Sequence, residues 1–247
     1  MPVLNKTDVY REFPVSGPLR RSIACVWVRR GNGGAVRVLP DACIDIVWRL
    51  GAGAVVAGPD TSAWLSRTRL GEITVGARFL PGAGGSALGL PLSELRDQRV
   101  ALSALELPWA ERLTGALDQA RALELVAKAA FRLVGDGAPD RAVQAAVVRL
   151  NDPTQRVEYL ANDLGLSERQ LRRRFLAAVG YGPKTLQRVL RLRRFLSSSR
   201  AEVDAAPVSL AGVAFEAGYA DQAHLARECR VLTGLAPSEL IATNRRG

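Results

Sequence analysis

Three arginines, Arg169, Arg172 and Arg173, fall on the outer side of one predicted helix, while Leu171 and Phe175 form its apolar stripe. Apolar residues four positions apart are typical of a buried helix face. Each guanidinium presents a planar fork of hydrogen-bond donors that matches a phosphate group or the edge of a guanine base. The pattern therefore predicts a helix that buries one side and offers cationic forks on the other.

A second predicted helix has the same organisation further along the chain. Gln222, His224 and Arg227 face outward, over an apolar stripe that includes Leu225 and Cys229. His224 is the only histidine of the chain, which argues against a metal site built from several histidines. His224 and Cys229 lie about 140° apart around a helix, so they do not form a nucleophile–base pair. We therefore expect no metal, no cofactor and no enzymatic activity.

These two helices belong to an internal repeat, in which Ala161–Pro183 aligns with Ala214–Pro237. Each copy consists of a helix, a glycine-containing turn, a second helix and a glycine stop, which predicts two helix-turn-helix units. Gly165 and Gly218 suit the positive φ that such a turn requires. The paired positions are Gly165 with Gly218, Leu171 with Leu225, Arg173 with Arg227, Gly180 with Gly234 and Pro183 with Pro237.

Residues around the two recognition helices are suited to position them. Ser167 and Asp221 are good N-caps for the helices that follow them. Between the copies, Lys184–Ser199 is predicted to form one amphipathic helix, with Arg188 and Arg194 away from its apolar side. A rigid helix at this place would hold the two units in fixed register, as needed to address major-groove segments about one DNA turn apart. We expect Ser167, Lys184, Arg188 and Arg194 to contact the DNA as well.

The charge of the chain is unevenly distributed. The net charge is +10 and the sequence pI is about 10.5. Residues 1–140 hold 17 basic and 14 acidic residues, a net +3, whereas residues 141–247 hold 17 and 10, a net +7. A helical bundle with a solvated arginine face would explain one copy of the repeat. Two copies with matching caps, glycines and outward arginines favour DNA binding.

Residues 155–241 resemble the DNA-binding domain of the AraC/XylS family of bacterial transcription regulators. The resemblance implies double-stranded promoter DNA as the partner, with RNA polymerase as a further candidate. The Leu/Ala-rich amphipathic helices predicted between Trp109 and Leu133 would pair two copies of the chain or pack on their own β-rich domain. It assigns base-edge reading to Arg169, Arg172 and Arg173 in the first unit, and to Gln222, His224 and Arg227 in the second. The matching segments are Leu164-Gly165-Leu166-Ser167, Leu171-Arg172-Arg173, Val179-Gly180-Tyr181-Gly182-Pro183, Ala217-Gly218-Tyr219, Asp221-Gln222 and Leu225-Ala226-Arg227.

The second unit departs from the family pattern at two core positions. Family members usually carry Phe where this chain has Cys229, and a second aromatic residue where it has Leu232. Smaller side chains at that end of the core predict a second unit that docks less firmly than the first.

The first part of the chain has the short, turn-bounded apolar runs of a β-rich domain. The predicted fold class is α+β: a small β-rich domain, a helical connector and an all-α double helix-turn-helix domain. The family resemblance implies that the β-rich domain is a cupin-like barrel. The expected boundaries are 1–105 for the barrel, 106–138 for the connector and possible dimerisation helices, and 139–247 for the DNA-binding domain with units at 155–182 and 208–236. The predicted strands are Ile23–Arg29, Val36–Leu39, Ile44–Leu50, Ala54–Ala57 and Ile73–Phe79.

The predicted barrel also contains the elements of a ligand pocket. Trp27, Trp48 and Trp64 lie on or near its strands, close in sequence to Arg78 and Asp45. Aromatic walls with a charged pair are typical of small-molecule sites, although the tryptophans would equally serve as core residues. The segments Leu39-Pro40-Asp41, Ile44-Asp45 and Gly76-Ala77-Arg78-Phe79 resemble the N-terminal domain of one AraC-type subgroup, which implies a regulatory role without a metal.

Three functions are compatible with this organisation: a ligand-responsive regulator, an enzyme with an attached DNA-binding domain, and a ligand-independent DNA binder whose first domain only dimerises. The enzyme would need a reactive cysteine or metal cluster in the first domain, and neither is visible. Gly82–Ala87 matches a relaxed dinucleotide-binding fingerprint, but Pro91 comes before a long helix could form, so we expect an exposed loop.

With no apolar leader or membrane span, we expect a cytoplasmic protein.

Overall fold

A computed structural model of the chain describes residues 2–3, 9–49, 52–106, 138–201 and 210–245. It consists of a β-rich N-terminal domain and a helical C-terminal domain, as the sequence predicts. The predicted connector helices, up to residue 137, lie outside the described residues. Within the described ranges, no helix combines the length and the apolar character needed to cross a membrane.

The strands of the N-terminal domain pair antiparallel in two sheets, of order β2-β3-β8-β5-β6-β9 and β1-β4-β7. The described strands do not close into the cupin-like barrel that the sequence predicts, because the outer strands β2 and β9 each pair with one neighbour only. The strands are β1 (Pro2–Val3), β2 (Val9–Phe13), β3 (Ile23–Asn32), β4 (Ala35–Val38), β5 (Ile44–Arg49), β6 (Gly53–Ala57), β7 (Trp64–Arg67), β8 (Leu70–Phe79) and β9 (Arg99–Ala101).

Strand β5 shows how the larger sheet separates a core from a second face. Ile44, Ile46 and Trp48 alternate along the strand and are buried in the apolar core. Asp45 and Val47 point to the opposite face, because successive side chains of a strand alternate sides. Trp48 is therefore a core residue, and it does not line the cavity on the opposite face.

The glycine-rich segment after β8 is not the exposed loop that the sequence suggests. It forms a short buried helix, α1 (Gly84–Leu88), which ends at Gly89 in the left-handed conformation. Gly85 lies against the C-terminal domain, where a Cβ on it would be 2.5 Å from the carbonyl oxygen of Ala177. The absence of a side chain thus lets the backbones of the two domains approach closely.

The C-terminal domain is entirely helical in its described residues and contains both predicted helix-turn-helix units. Helices α3 and α4 form the first unit and α6 and α7 the second, with Gly165 (φ +64°) and Gly218 (φ +90°) in their turns. The long helix α5 joins them. The helices are α2 (Arg141–Leu150), α3 (Val157–Asp163), α4 (Glu168–Ala178), α5 (Pro183–Ala201), α6 (Leu210–Glu216), α7 (Gln222–Thr233) and α8 (Pro237–Arg245).

The two domains share their cores. The apolar cluster of the first helix-turn-helix unit includes Ala42, from the loop between β4 and β5. The cluster of the second unit includes Leu39, from the same loop. Each residue is 3% exposed, so this loop is buried against both units at once.

Replacing Gly85 with alanine should destabilise the folded protein by about 1–3 kcal/mol, because the methyl group forces α1 away from α4. Chemical denaturation of the full chain measures this change. Gly182→Ala is the matched control, since a Cβ at that position meets no atom within 4 Å. Equal losses in the two variants would contradict the close contact assigned to Gly85.

Candidate DNA-binding surface and N-terminal cavity

The first recognition helix, α4, has the cap and the faces that the sequence predicts. The Ser167 hydroxyl accepts a hydrogen bond from the Gln170 backbone N–H, and the Gln170 side chain accepts one from the Ser167 N–H. This reciprocal capping box satisfies two donors at the helix start. Leu171 and Phe175 are buried in the core. The three arginines are exposed on the other side, and they are Arg169, Arg172 and Arg173.

The second recognition helix, α7, is capped by Asp221, whose carboxylate accepts from the His224 N–H at 2.6 Å. Gln222 and Arg227 are exposed, as predicted. The ring of His224 instead lies against the protein: its Nδ1 accepts from the Ala220 N–H, and it packs edge-on against Tyr219. Of the three predicted base-reading side chains, Gln222 and Arg227 are thus the better exposed.

Two ion pairs connect the long helix α5 to α7 through Glu228, a residue that sequence reasoning missed. Glu228 is buried and accepts from Arg188 Nε at 2.6 Å, with Arg191 Nη2 at 3.5 Å. Arg188, predicted to contact DNA, is therefore paired within the protein. The spacing of the arginines along α5 does not indicate this pairing, because Glu228 lies forty positions after Arg188 in the sequence.

Arg194 also points inward, in contrast to the sequence interpretation. Its guanidinium donates to the carbonyl oxygens of Ala217 at 3.2 Å, Leu150 at 3.4 Å and Asn151 at 2.9 Å. These carbonyls lie at or just beyond the ends of α6 and α2, where the helix dipole favours a cation. Arg194 thus connects three helices, whereas Lys184 is exposed in the first turn of α5.

A cavity of about 350 Å³ lies on the face of the larger sheet that carries Asp45. Trp27, Trp64 and Arg78 line it together with Asp45, so the structure brings together four of the five predicted pocket residues. Cavities of this size accommodate small organic molecules. The other lining residues that matter for its chemistry are Tyr10, Arg29, Val38, Arg49, Val55 and Arg99.

The charged groups beside the cavity are paired with one another. Trp27 Nε1 donates to Asp45 Oδ1 at 2.8 Å, and Arg78 lies 3.3 Å from Asp45, 3.5 Å from Asp41 and 3.1 Å from Glu12. Burial lowers the pKa of Arg78, but Asp45 and Asp41 raise it by more, so the guanidinium stays charged. Burial raises the pKa of Asp45, which Arg78 opposes.

The described residues hold no group of candidate metal ligands. Their three cysteines, Cys25, Cys43 and Cys229, are buried and reduced. Burial raises the pKa of the Cys25 thiol and of the Cys229 thiol to about 12, and that of Cys43 well above its usual value. A thiol with such a pKa is a poor nucleophile at neutral pH, because the thiolate is the reactive form.

Comparisons with known families agree with this division of the chain. Residues 160–243 match a family described as a helix-turn-helix domain, and residues 11–101 match a domain of unknown function, DUF6597. The C-terminal domain is thus an AraC-type helix-turn-helix domain, the kind of domain that binds DNA in transcription regulators. No curated protein matches the chain.

Among solved structures, the chain is similar to ToxT from Vibrio cholerae. An apo ToxT variant is 12% identical, with 97% of this chain and 98% of that chain covered and a TM-score of 0.43. ToxT with a bound unsaturated fatty acid is 13% identical, with 90% and 95% covered and a TM-score of 0.42.

Removing the cap of α4 by Ser167→Ala should cost about 1 kcal/mol of stability, because the Gln170 N–H loses its acceptor. Thermal and urea denaturation of the full chain measure the loss. Ser197→Ala, at an exposed position inside α5, is the control and should cost nothing, since alanine favours a helix. A Ser167→Ala protein as stable as the parent would contradict the role of the capping box.

Proposed function

We propose that the chain reads a specific promoter sequence with both helix-turn-helix units, whose recognition helices enter successive major-groove segments. The observation that carries the proposal is the exposure of Arg169, Arg172 and Arg173 on one face of a capped helix that is buried on the other. Helix N-terminal side chains of this kind read base edges in the major groove. RNA polymerase is a further partner that the family resemblance suggests, and a second copy of the chain is one that the amphipathic pattern of the connector suggests.

We further propose that a small molecule in the N-terminal cavity modulates DNA binding. The cavity combines aromatic walls with buried charged groups, as ligand sites commonly do. Its lining also connects to the DNA-binding domain by a short series of contacts. Asp45 pairs with Arg78, Arg78 pairs with Asp41, and the Asp41 carbonyl accepts from Arg193 of α5.

A second path supports the same coupling. Val38 lines the cavity, and its neighbour Arg37 donates from Nη1 to the carbonyl oxygen of Thr233, the last residue of α7, at 2.8 Å. A ligand that moves β4 or the Arg78 cluster would therefore act on α5 and on the second recognition helix. Such a ligand shifts DNA affinity only if it binds the two arrangements of the domains unequally.

The alternative is a ligand-independent DNA binder whose first domain has a structural role. One observation favours it: charged side chains beside the cavity are already paired within the protein, as Arg78 is with Asp45 and Arg99 is with Asp60 at 2.6 Å. A buried charge that already has a partner needs no ligand to compensate it.

Arg173→Ala should weaken binding to the cognate duplex by about 1–3 kcal/mol and relax the base preference at one position, because one bidentate contact is lost. Fluorescence anisotropy with a site selected from random DNA, and with single-base variants of it, measures both effects. Arg174→Ala is the matched control on the same helix, since Arg174 is held by Asp140 at 3.1 Å. If Arg173→Ala leaves affinity and base preference unchanged, the recognition assignment is wrong.

The cavity should bind anilinonaphthalene sulfonate, an aromatic anion, with a rise in its fluorescence. Val47→Phe should abolish this signal by filling the cavity, whereas Val148→Phe, at an exposed site of α2, should not. Compounds that displace the probe are then tested for a change in DNA affinity of the full chain. Displacement with no such change, across all displacing compounds, would favour the ligand-independent alternative.

A further inference from the structure

We propose that Arg96 of the N-terminal domain binds a DNA phosphate beside the first recognition helix. The proposal rests on the DNA-binding function proposed above and extends its surface to the other domain. It assigns the β-rich domain a direct part in DNA binding, in addition to any ligand that it holds.

Arg96 lines a cleft of about 670 Å³ between the two domains. On the helical side, Arg169 and Arg172 of α4 and Lys184 of α5 line the same cleft. All four cationic side chains are exposed. Arg96 forms no ion pair with any residue that the structure describes, so its guanidinium is available to a partner.

The charge balance of the cleft favours an anion. Two acidic residues, Glu158 and Glu168, face the four cations, and Glu158 is already paired with Arg156 at 3.1 Å. The N-terminal end of α5, a helix of 19 residues, opens onto the same cleft. Helix N-termini add a partial positive charge, which suits a phosphate.

The backbone around Arg96 is held firmly, so the Cα from which its side chain extends has a fixed position. The preceding Leu95 is buried, and the following Asp97 accepts from the Thr61 N–H and hydroxyl. The adjoining turn packs against the first helix-turn-helix unit, where a Cβ on Gly180 would lie 3.0 Å from the carbonyl oxygen of Leu92. Preorganisation of this kind lowers the entropy lost on binding.

The position points to a phosphate and not to a base edge. A recognition helix lies in the major groove, and the phosphate strands that border the groove pass on either side of it. Arg96 faces the cleft that Arg172 of α4 and the start of α5 also line, and it belongs to neither helix. From there it would contact the backbone, and its contribution would be independent of sequence.

The test uses the full chain with its selected cognate duplex and an unrelated duplex of equal length, titrated at several salt concentrations. Arg96→Ala should weaken binding to both duplexes by the same factor and reduce the salt slope by about 0.9, the contribution of one phosphate. Arg96→Lys should retain most of the affinity for both, because an ammonium also pairs with a phosphate.

Arg69→Ala is the matched control, since it removes the same charge from an exposed position of the same domain. Arg69 lies just before β8, and the other end of this strand leads to α1 and the helical domain. Ten residues of a strand span about 30 Å, so Arg69 lies about that far from the end of β8 that faces the helical domain. Circular dichroism and denaturation check that each variant folds.

Three outcomes would overturn the proposal. Arg96→Ala leaves affinity and salt slope unchanged, or it binds DNA more tightly, which would mean that the turn obstructs DNA. In the third, Arg69→Ala changes affinity and salt slope as much as Arg96→Ala does. In each of these cases Arg173→Ala remains informative. If it still weakens the cognate duplex selectively, only the Arg96 assignment fails. If it has no effect either, the proposed DNA-binding surface itself is wrong.

Discussion

The loop between β4 and β5 is the contact on which the arrangement of the whole molecule depends. Leu39 packs in the core of the second helix-turn-helix unit and Ala42 in that of the first, while the Asp41 carbonyl accepts from Arg193 between them. Ala42 has φ +68°, a conformation that is strained for a residue with a Cβ and is retained only where packing determines it. Two DNA-binding units and a β-rich domain thus meet on a few residues.

Buried charges fix the two units relative to each other. Glu228 is held by Arg188 and Arg191, and Arg194 donates to three carbonyls at the ends of α2 and α6. Burying these groups costs solvation energy that ion pairing recovers only in part. Their effect is therefore on geometry more than on stability, because other arrangements of the helices would leave charges buried without partners.

Local features of the helical domain could be predicted from the sequence, and long-range ones could not. The N-caps Ser167 and Asp221 and the turn glycines depend on neighbouring residues only, and they are confirmed. Arg194 and His224 have the same outward spacing as their neighbours, yet their partners come from turns and helix ends that periodicity does not indicate. The burial of Trp48 in the core could be predicted, because Trp48 lies on the same side of β5 as Ile44 and Ile46.

The unequal character of the two units follows from the same contacts. In the first, the recognition arginines are exposed and form no ion pair with any residue that the structure describes, so their forks face outward. In the second, His224 is turned toward Tyr219, and Cys229 and Leu232 are buried in the core behind it. Arg37 of the β-rich domain holds the end of this second recognition helix. The unit with fewer exposed recognition side chains is thus the one whose recognition helix is bonded to the N-terminal domain, and the coupling proposed above would act on it.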